Sequence, residues 1–206
     1  MSEITLFNCK GGRTVHVRDG KIEEGEGGEP FNCHGLPVKP LRCTVGVRPF
    51  KRWDEVVEEE LQKFSPSQYF AAIWEDDLGE KVLESPETYL FKGVKATGVN
   101  GDLRAYGPVA LIFPKRWEEA YEHWKRVVEL RKDVTHVVAQ VSEREEGKYT
   151  ISVRAVVTEN FMTADVLRLE KDVLEEIADK IFKLDKRIKR VVYDVTPKPP
   201  ATIEYE

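Results

Sequence analysis

The chain has 206 residues and a formal net charge of −5; hydrophobic residues make up 41% and charged residues 33%. That length and apolar content suit a packed core and exclude wholesale disorder, and no apolar run approaches the ~20 residues a membrane-crossing helix needs, so no membrane association is expected. The acidic balance does not fit a general nucleic-acid binder, which presents a basic face to phosphates.

The start, Met1-Ser2-Glu3-Ile4, has no basic region followed by an apolar stretch, so the expected compartment is the cytoplasm. Cys9, Cys33 and Cys43 are an odd number in such a chain, which argues for reduced thiols. Glu, Lys and Arg dominate the charged residues and there are only two Met, a composition that suits ion-pair networks at high temperature and hence a thermophilic source.

In chain order, residues 4–22 read as short strands, with Asp19-Gly20 as a hairpin turn between Thr14–Val17 and Lys21-Ile22. Residues 23–40 read as a loop or linker, and 41–47 as a strand. Trp53, Val56, Val57, Leu61 and Phe64 predict a helix over 51–64. Strands follow at 69–74 and 89–99, separated by a polar stretch holding Asp76, Asp77 and Gly79, and another lies at 109–113. A second helix is predicted over 115–131, with Trp117, Ala120, Tyr121, Trp124, Val127 and Val128 inward. Residues 136–141 and 149–157 are expected to pair around Glu146-Gly147. A third helix covers 171–184, and the chain finishes with a strand at 190–196 and an extended tail.

One stretch echoes another. Pro49-Phe50-Lys51-Arg52-Trp53-Asp54-Glu55 recurs as Phe113-Pro114-Lys115-Arg116-Trp117-Glu118-Glu119, and YFAAIWEDDLGEK resembles HVVAQVSEREEGK downstream. Two similar β-α-β-type units would explain this; so would chance likeness between amphipathic helix starts. The fold class expected is α+β, with antiparallel or mixed sheets packed against helices.

Residues 153–165 (VRAVVTENFMTAD), an amphipathic helix, and then RVVYDVTPKPPATIEYE at 190–206 resemble the end of GMP synthase. That family typically reads LRAV, DFMTADW, a helix and NRVVYDITSKPPATIEWE. Residues 94–107 (VKATGVNGDLRAYG) resemble its VKSVGVMGDGRTY block. The resemblance implies a dimerisation-domain-like region over 91–206, with an insertion at about 108–150, and leaves 1–90 as an N-terminal α+β region of unknown family. GMP synthase also needs an amidotransferase Cys and His, and a pyrophosphatase SGGxDS loop that cradles pyrophosphate on backbone N–H groups. No SGGxDS occurs here, and Gly11-Gly12 lacks the Asp-Ser that would follow. The chain by itself is expected not to complete GMP synthesis, and no catalytic residue, cofactor or metal is assigned. The expected role is a non-catalytic, purine-nucleotide-associated one, with a structural module for homodimerisation without ligand, or an unrecognised nucleotide enzyme, as the alternatives.

The resemblance implies that Lys198 and Glu204 help enclose a xanthosine monophosphate, with Thr202 beside them. In physical terms, Pro199-Pro200 fix φ near −65° and present Lys198 at the head of a stiff, extended segment; a Lys suits phosphate and a carboxylate accepts from base N–H groups. An edge strand serving the fold alone is the alternative reading of the same residues. Arg104, Tyr106 and Arg154 fall in the matched blocks, which the family places in the sheet and dimer interface. An Arg within an apolar strand, as Arg154 is, needs a carboxylate or phosphate partner, and a buried ion pair is the preferred account. The partners expected are a second copy, a purine nucleotide or GMP synthase subunits.

Other signals are weaker. Cys33-His34 with Cys9, Cys43 and His16 has no C-x-x-C pair and does not read as a zinc site. Asp165, after Met162-Thr163-Ala164, reads equally as part of the matched block or as a cap for the segment that follows. Glu58-Glu59-Glu60 and Glu143-Arg144-Glu145-Glu146 read as solvated faces or turns. His123 and His136 show no partner in sequence.

Overall fold

A computed structural model describes residues 3–8, 13–18, 21–23, 53–100 and 103–205. The loop expected at 23–40, the strand at 41–47, and Cys9, Cys33, His34 and Cys43 lie outside the described residues, apart from Glu23.

The described residues form eleven strands and three helices. They are β1 (Glu3–Asn8), β2 (Arg13–Arg18), β3 (Lys21–Glu23), α1 (Trp53–Gln62), β4 (Gln68–Glu75), β5 (Leu78–Glu84), β6 (Glu87–Asn100), β7 (Leu103–Ile112), α2 (Trp117–Leu130), β8 (His136–Glu143), β9 (Tyr149–Val157), β10 (Asp165–Val166), α3 (Lys171–Leu184) and β11 (Ile188–Asp194). All the strands join one mixed sheet in the order β3-β2-β1-β4-β9-β11-β8-β7-β6-β5, with β10 paired to β9. β9–β11 and β7–β8 run parallel; the other pairs are antiparallel. This is the α+β architecture read from the sequence.

Strict alternation sorts the central strands onto two faces. Tyr69, Ala71 and Ile73 on β4, Val137, Ala139 and Val141 on β8, Ile151, Val153 and Ala155 on β9, and Val191 and Tyr193 on β11 form one core. The helices cover that face with Trp53, Val57 and Leu61 from α1, Trp117, Ala120, Tyr121 and Val127 from α2, and Leu174, Ile177, Ala178 and Ile181 from α3. The Trp and Leu spacings of the three helices therefore mark core. The opposite face carries Phe70, Ala72, Trp74, Val109, Leu111, Val138 and Val192, and Tyr205 of the tail packs on it. Burial on both faces explains why these strands read as near-continuous apolar runs.

Several details differ from the expectations. β5 forms within the stretch read as polar; it is the outermost strand, and its alternation is diluted by exposed Glu80, Lys81 and Glu84. β8 and β9 do not pair, because β11 lies between them and hydrogen-bonds to both. β2 and β3 do pair antiparallel, with Arg18 opposite Lys21.

The charge runs carry structure as well. Arg144 donates to Phe182 O at 3.1 Å and Asp185 O at 2.7 Å, satisfying carbonyls at the end of α3. Glu60 is buried and takes Lys180 and Lys63, each at 2.6 Å, which joins α1 to α3. Asp165 opens β10 rather than capping α3, whose N-cap residue is Glu170. Among the described residues no helix is long and apolar enough to cross a membrane.

Candidate functional site

The tail after β11 lies on the sheet face opposite the helices and is tied down on two sides. On one side Lys198 N donates to Ala164 O at 2.8 Å and Ala164 N to Lys198 O at 3.0 Å, so the tail pairs with the Phe161–Asp165 segment. On the other, Val99 N donates to Pro200 O at 2.6 Å, Thr202 N to Thr97 O at 3.3 Å and Thr97 N to Tyr205 O at 3.0 Å, so it also runs along β6. Between these anchors the segment does not continue extended, contrary to the expectation from the two prolines. The Lys198-Pro199 and Pro199-Pro200 bonds are both cis, and Ala201 N donates to Pro197 O at 3.1 Å, closing a turn.

Beneath the tail is a buried polar cluster. Arg154, Asp194 and His136 are each 0% exposed. The β9–β11 register pairs Ser152 with Val192, and β11–β8 pairs Asp194 with Val138, so three strands bring these residues to one face. Arg154 Nη1 meets Asp194 Oδ1 at 2.9 Å, and His136 Nδ1 meets Asp194 Oδ2 at 2.6 Å. The partner that an Arg in an apolar strand requires is thus a carboxylate. Burial works to raise the Asp194 pKa, but the Arg154 and His136 charges and the Thr196 amide outweigh it and hold the group at about 2. Tyr205 adds an edge-on contact with the His136 ring, centroids 4.5 Å apart, and a hydroxyl bond to Ser152 Oγ at 2.8 Å.

The expected ligand residues stand on this platform. Lys198 Nζ donates to Phe161 O at 2.6 Å. Burial lowers its pKa, and the positive charge of Arg104 nearby lowers it further. Arg104 is exposed on β7, opposite Val99, the residue whose amide holds Pro200 O. Neither cation has a carboxylate partner among the described residues. The Glu204 carboxylate accepts from Gln68 Nε2 at 2.7 Å, and burial, only partly offset by that bond, pushes its pKa up. Thr202 Oγ1 donates to Thr97 O at 2.7 Å and also approaches Glu204 O, so its hydroxyl serves the tail itself. Tyr106 lies 60% exposed on β7, whereas Arg154 is spent entirely inside its own chain.

A polar cleft of about 460 Å³ adjoins the tail, lined by Ser67 at the entry to β4 and by Val157–Asn160 and Thr163–Asp165. Ala164 in its wall is the residue paired with Lys198, and Ser67 precedes the Gln68 that holds Glu204. The sequence reading missed His136 and Asp194. The signal present was three polar residues within apolar strands, but only the strand order shows that they meet.

Residues 115–205 match the family described as GMP synthase C terminal domain. The chain is GMP synthase C-terminal domain-like. It is 44% identical over 180 residues to a subunit of the glutamine-hydrolyzing GMP synthase of Saccharolobus islandicus, a match covering 86% of this chain and 48% of that protein. Against the same subunit from Sulfurisphaera tokodaii it is 43% identical over 189 residues, covering 86% and 49%. For that of Archaeoglobus fulgidus the identity is 32% over 179 residues, covering 86% and 39%. The chain thus spans half or less of the length of these curated relatives.

The close seating of the tail leads to one expectation. A Cβ on Gly98 would come within 2.8 Å of both Pro200 O and Thr135 Cγ2. Gly98→Ala should therefore lift the tail from β6 and cost about 1–3 kcal/mol. Urea unfolding measures the loss, and hydrogen exchange should show faster exchange at Val99.

Proposed function

We propose that the chain handles a purine monophosphate for a GMP-synthase-type assembly, receiving phosphate at Lys198 and Arg104 and the base at Glu204. The observation that carries this reading is that Arg104 lies near enough to Lys198 for its charge to lower the Lys198 pKa, while neither cation meets a carboxylate among the described residues. Such a pair is stabilised by an anion, and phosphate is the anion a purine monophosphate brings. Glu204 adds a carboxylate steadied by Gln68 and held partly out of water, suited to accept from the N–H groups of a base. The relatives are named as GMP synthase subunits, which supports a purine monophosphate as the ligand, and the likeness of the tail to that family implies xanthosine monophosphate.

Amination itself needs nitrogen release and ATP chemistry, and this sequence carries no SGGxDS loop for the latter. The chain is therefore proposed to be non-catalytic alone and to work with the synthase parts that supply those steps. Exposed Tyr106 and Met162, at 60% and 76%, are proposed to meet a second copy beside the tail, and light scattering should give the mass of a dimer.

Calorimetric titration of the full chain with xanthosine, guanosine and inosine monophosphates tests the nucleotide reading. Xanthosine monophosphate should bind, and the nucleoside without phosphate should bind more weakly. Lys198→Ala and Glu204→Ala should each weaken binding roughly tenfold or more, as expected for lost charge-assisted hydrogen bonds. Binding unchanged in the double variant would remove the tail site. No binding of any monophosphate would leave a fold-only role for the tail.

A further inference from the structure

Lys198 and Glu204 lie on a segment without regular secondary structure, so something else must hold them in place. The two limbs of the tail, Val195–Thr196 and Thr202–Ile203, flank the proline turn, and one side chain bonds to both. Arg154 donates through Nη1 to Thr196 O at 2.8 Å, through Nη2 to Thr202 O at 2.8 Å and through Nε to Ile203 O at 2.8 Å. Its remaining contact is the Asp194 carboxylate, which also accepts from Thr196 N at 2.9 Å. A planar guanidinium reaches these separated acceptors at once because its N–H groups diverge in one rigid fork.

We propose that Arg154 is the positioning residue of this site: it touches no ligand, and it sets the geometry in which Lys198 and Glu204 are presented. This rests on the nucleotide reading above. Arg154 belongs to β9, the central strand between β4 and β11, so it refers the tail to the most constrained part of the sheet. A lysine at this position carries the same charge but only a single nitrogen, and cannot span the carbonyls on both limbs. With Lys there, the tail is correctly seated for only a fraction of the time, and apparent affinity falls by that fraction.

The test uses Arg154→Lys in the full chain with xanthosine monophosphate as the probe. Hydrogen exchange should rise at Thr97, Val99, Lys198, Ala201 and Thr202, whose amides hold or belong to the tail, while α3 keeps its protection. The Kd should rise roughly tenfold. Ile177→Val on α3, or Ile177→Ala if the larger change is needed to match the Tm loss, is the control; it unsettles the helix-side core and should leave the Kd unchanged. Should Arg154→Lys fail to fold, Arg154→Met with Asp194→Asn removes both buried charges together, a change such sites tolerate, and still frees the three carbonyls. Unchanged affinity in a variant with a loosened tail overturns the proposal. So does an equal loss of affinity in the Tm-matched control, which would make Arg154 a stability residue only, and so does unchanged exchange at the tail amides. If the wild-type chain takes no monophosphate, the nucleotide reading fails first and this one with it; wild-type binding with an unaffected variant sinks this one alone.

Discussion

Asp194→Ala is expected to cost about 3–5 kcal/mol, because it strips the counter-charge from a fully buried guanidinium. Alanine would leave Arg154 with carbonyl acceptors only, and would remove the oxygens that receive His136 Nδ1 and Thr196 N. Urea unfolding followed by circular dichroism at neutral pH measures the loss. The double variant Asp194→Ala with Arg154→Met should recover most of it, since a missing pair is cheaper than an orphaned charge. A loss under about 1 kcal/mol for the single variant would show that water or a shifted side chain relieves the arginine.

The same pair sets an acid limit. With Asp194 held at about 2 against an ordinary 3.8, the folded state favours the ionised carboxylate. Its contribution is fully present above 3.8 and is lost as the pH falls from there through about 2. Wild-type stability should therefore drop across that window, and an Asp194→Asn variant should show less of the drop.

Trp74→Ala is the second large effect, also about 3–5 kcal/mol. Trp74 is 1% exposed on the tail-facing side of β4. Its ring stands edge-on to Phe91, centroids 5.3 Å apart, and lies 6.0 Å from Tyr205. Removing it opens a void under the last turn of the tail, where Tyr205 also meets Phe70 at 5.4 Å. The indole Nε1 has no hydrogen-bond partner among the described residues, so the residue acts through volume and ring contact. Trp74→Phe should consequently cost much less than Trp74→Ala. Equal losses in thermal unfolding would point to a hidden partner for the indole nitrogen.

Local pattern made much of this legible. The apolar spacing of α1, α2 and α3 appears in the structure within two residues at each end, because helix period and core face coincide. The KPPATIE tail and the VRAVVTENFMTAD segment point to the GMP synthase C-terminal domain, and the family match over 115–205 agrees. β5 was not legible because an outermost strand buries too little to show alternation. The place of β11 between β8 and β9 was not legible because strand order depends on non-local pairing, which a neighbouring sequence stretch does not encode.

Residue type at short range carries both the likeness to the GMP synthase C-terminal domain and the element pattern. The tertiary structure decided that Arg154, Asp194 and His136 meet, although they are 18 to 58 residues apart along the chain. It also decided that the proline pair makes a turn, and that Arg154 faces the tail's carbonyls. Those outcomes depend on which strands lie side by side and on the low-dielectric interior between them, where an unpartnered charge is too costly to persist.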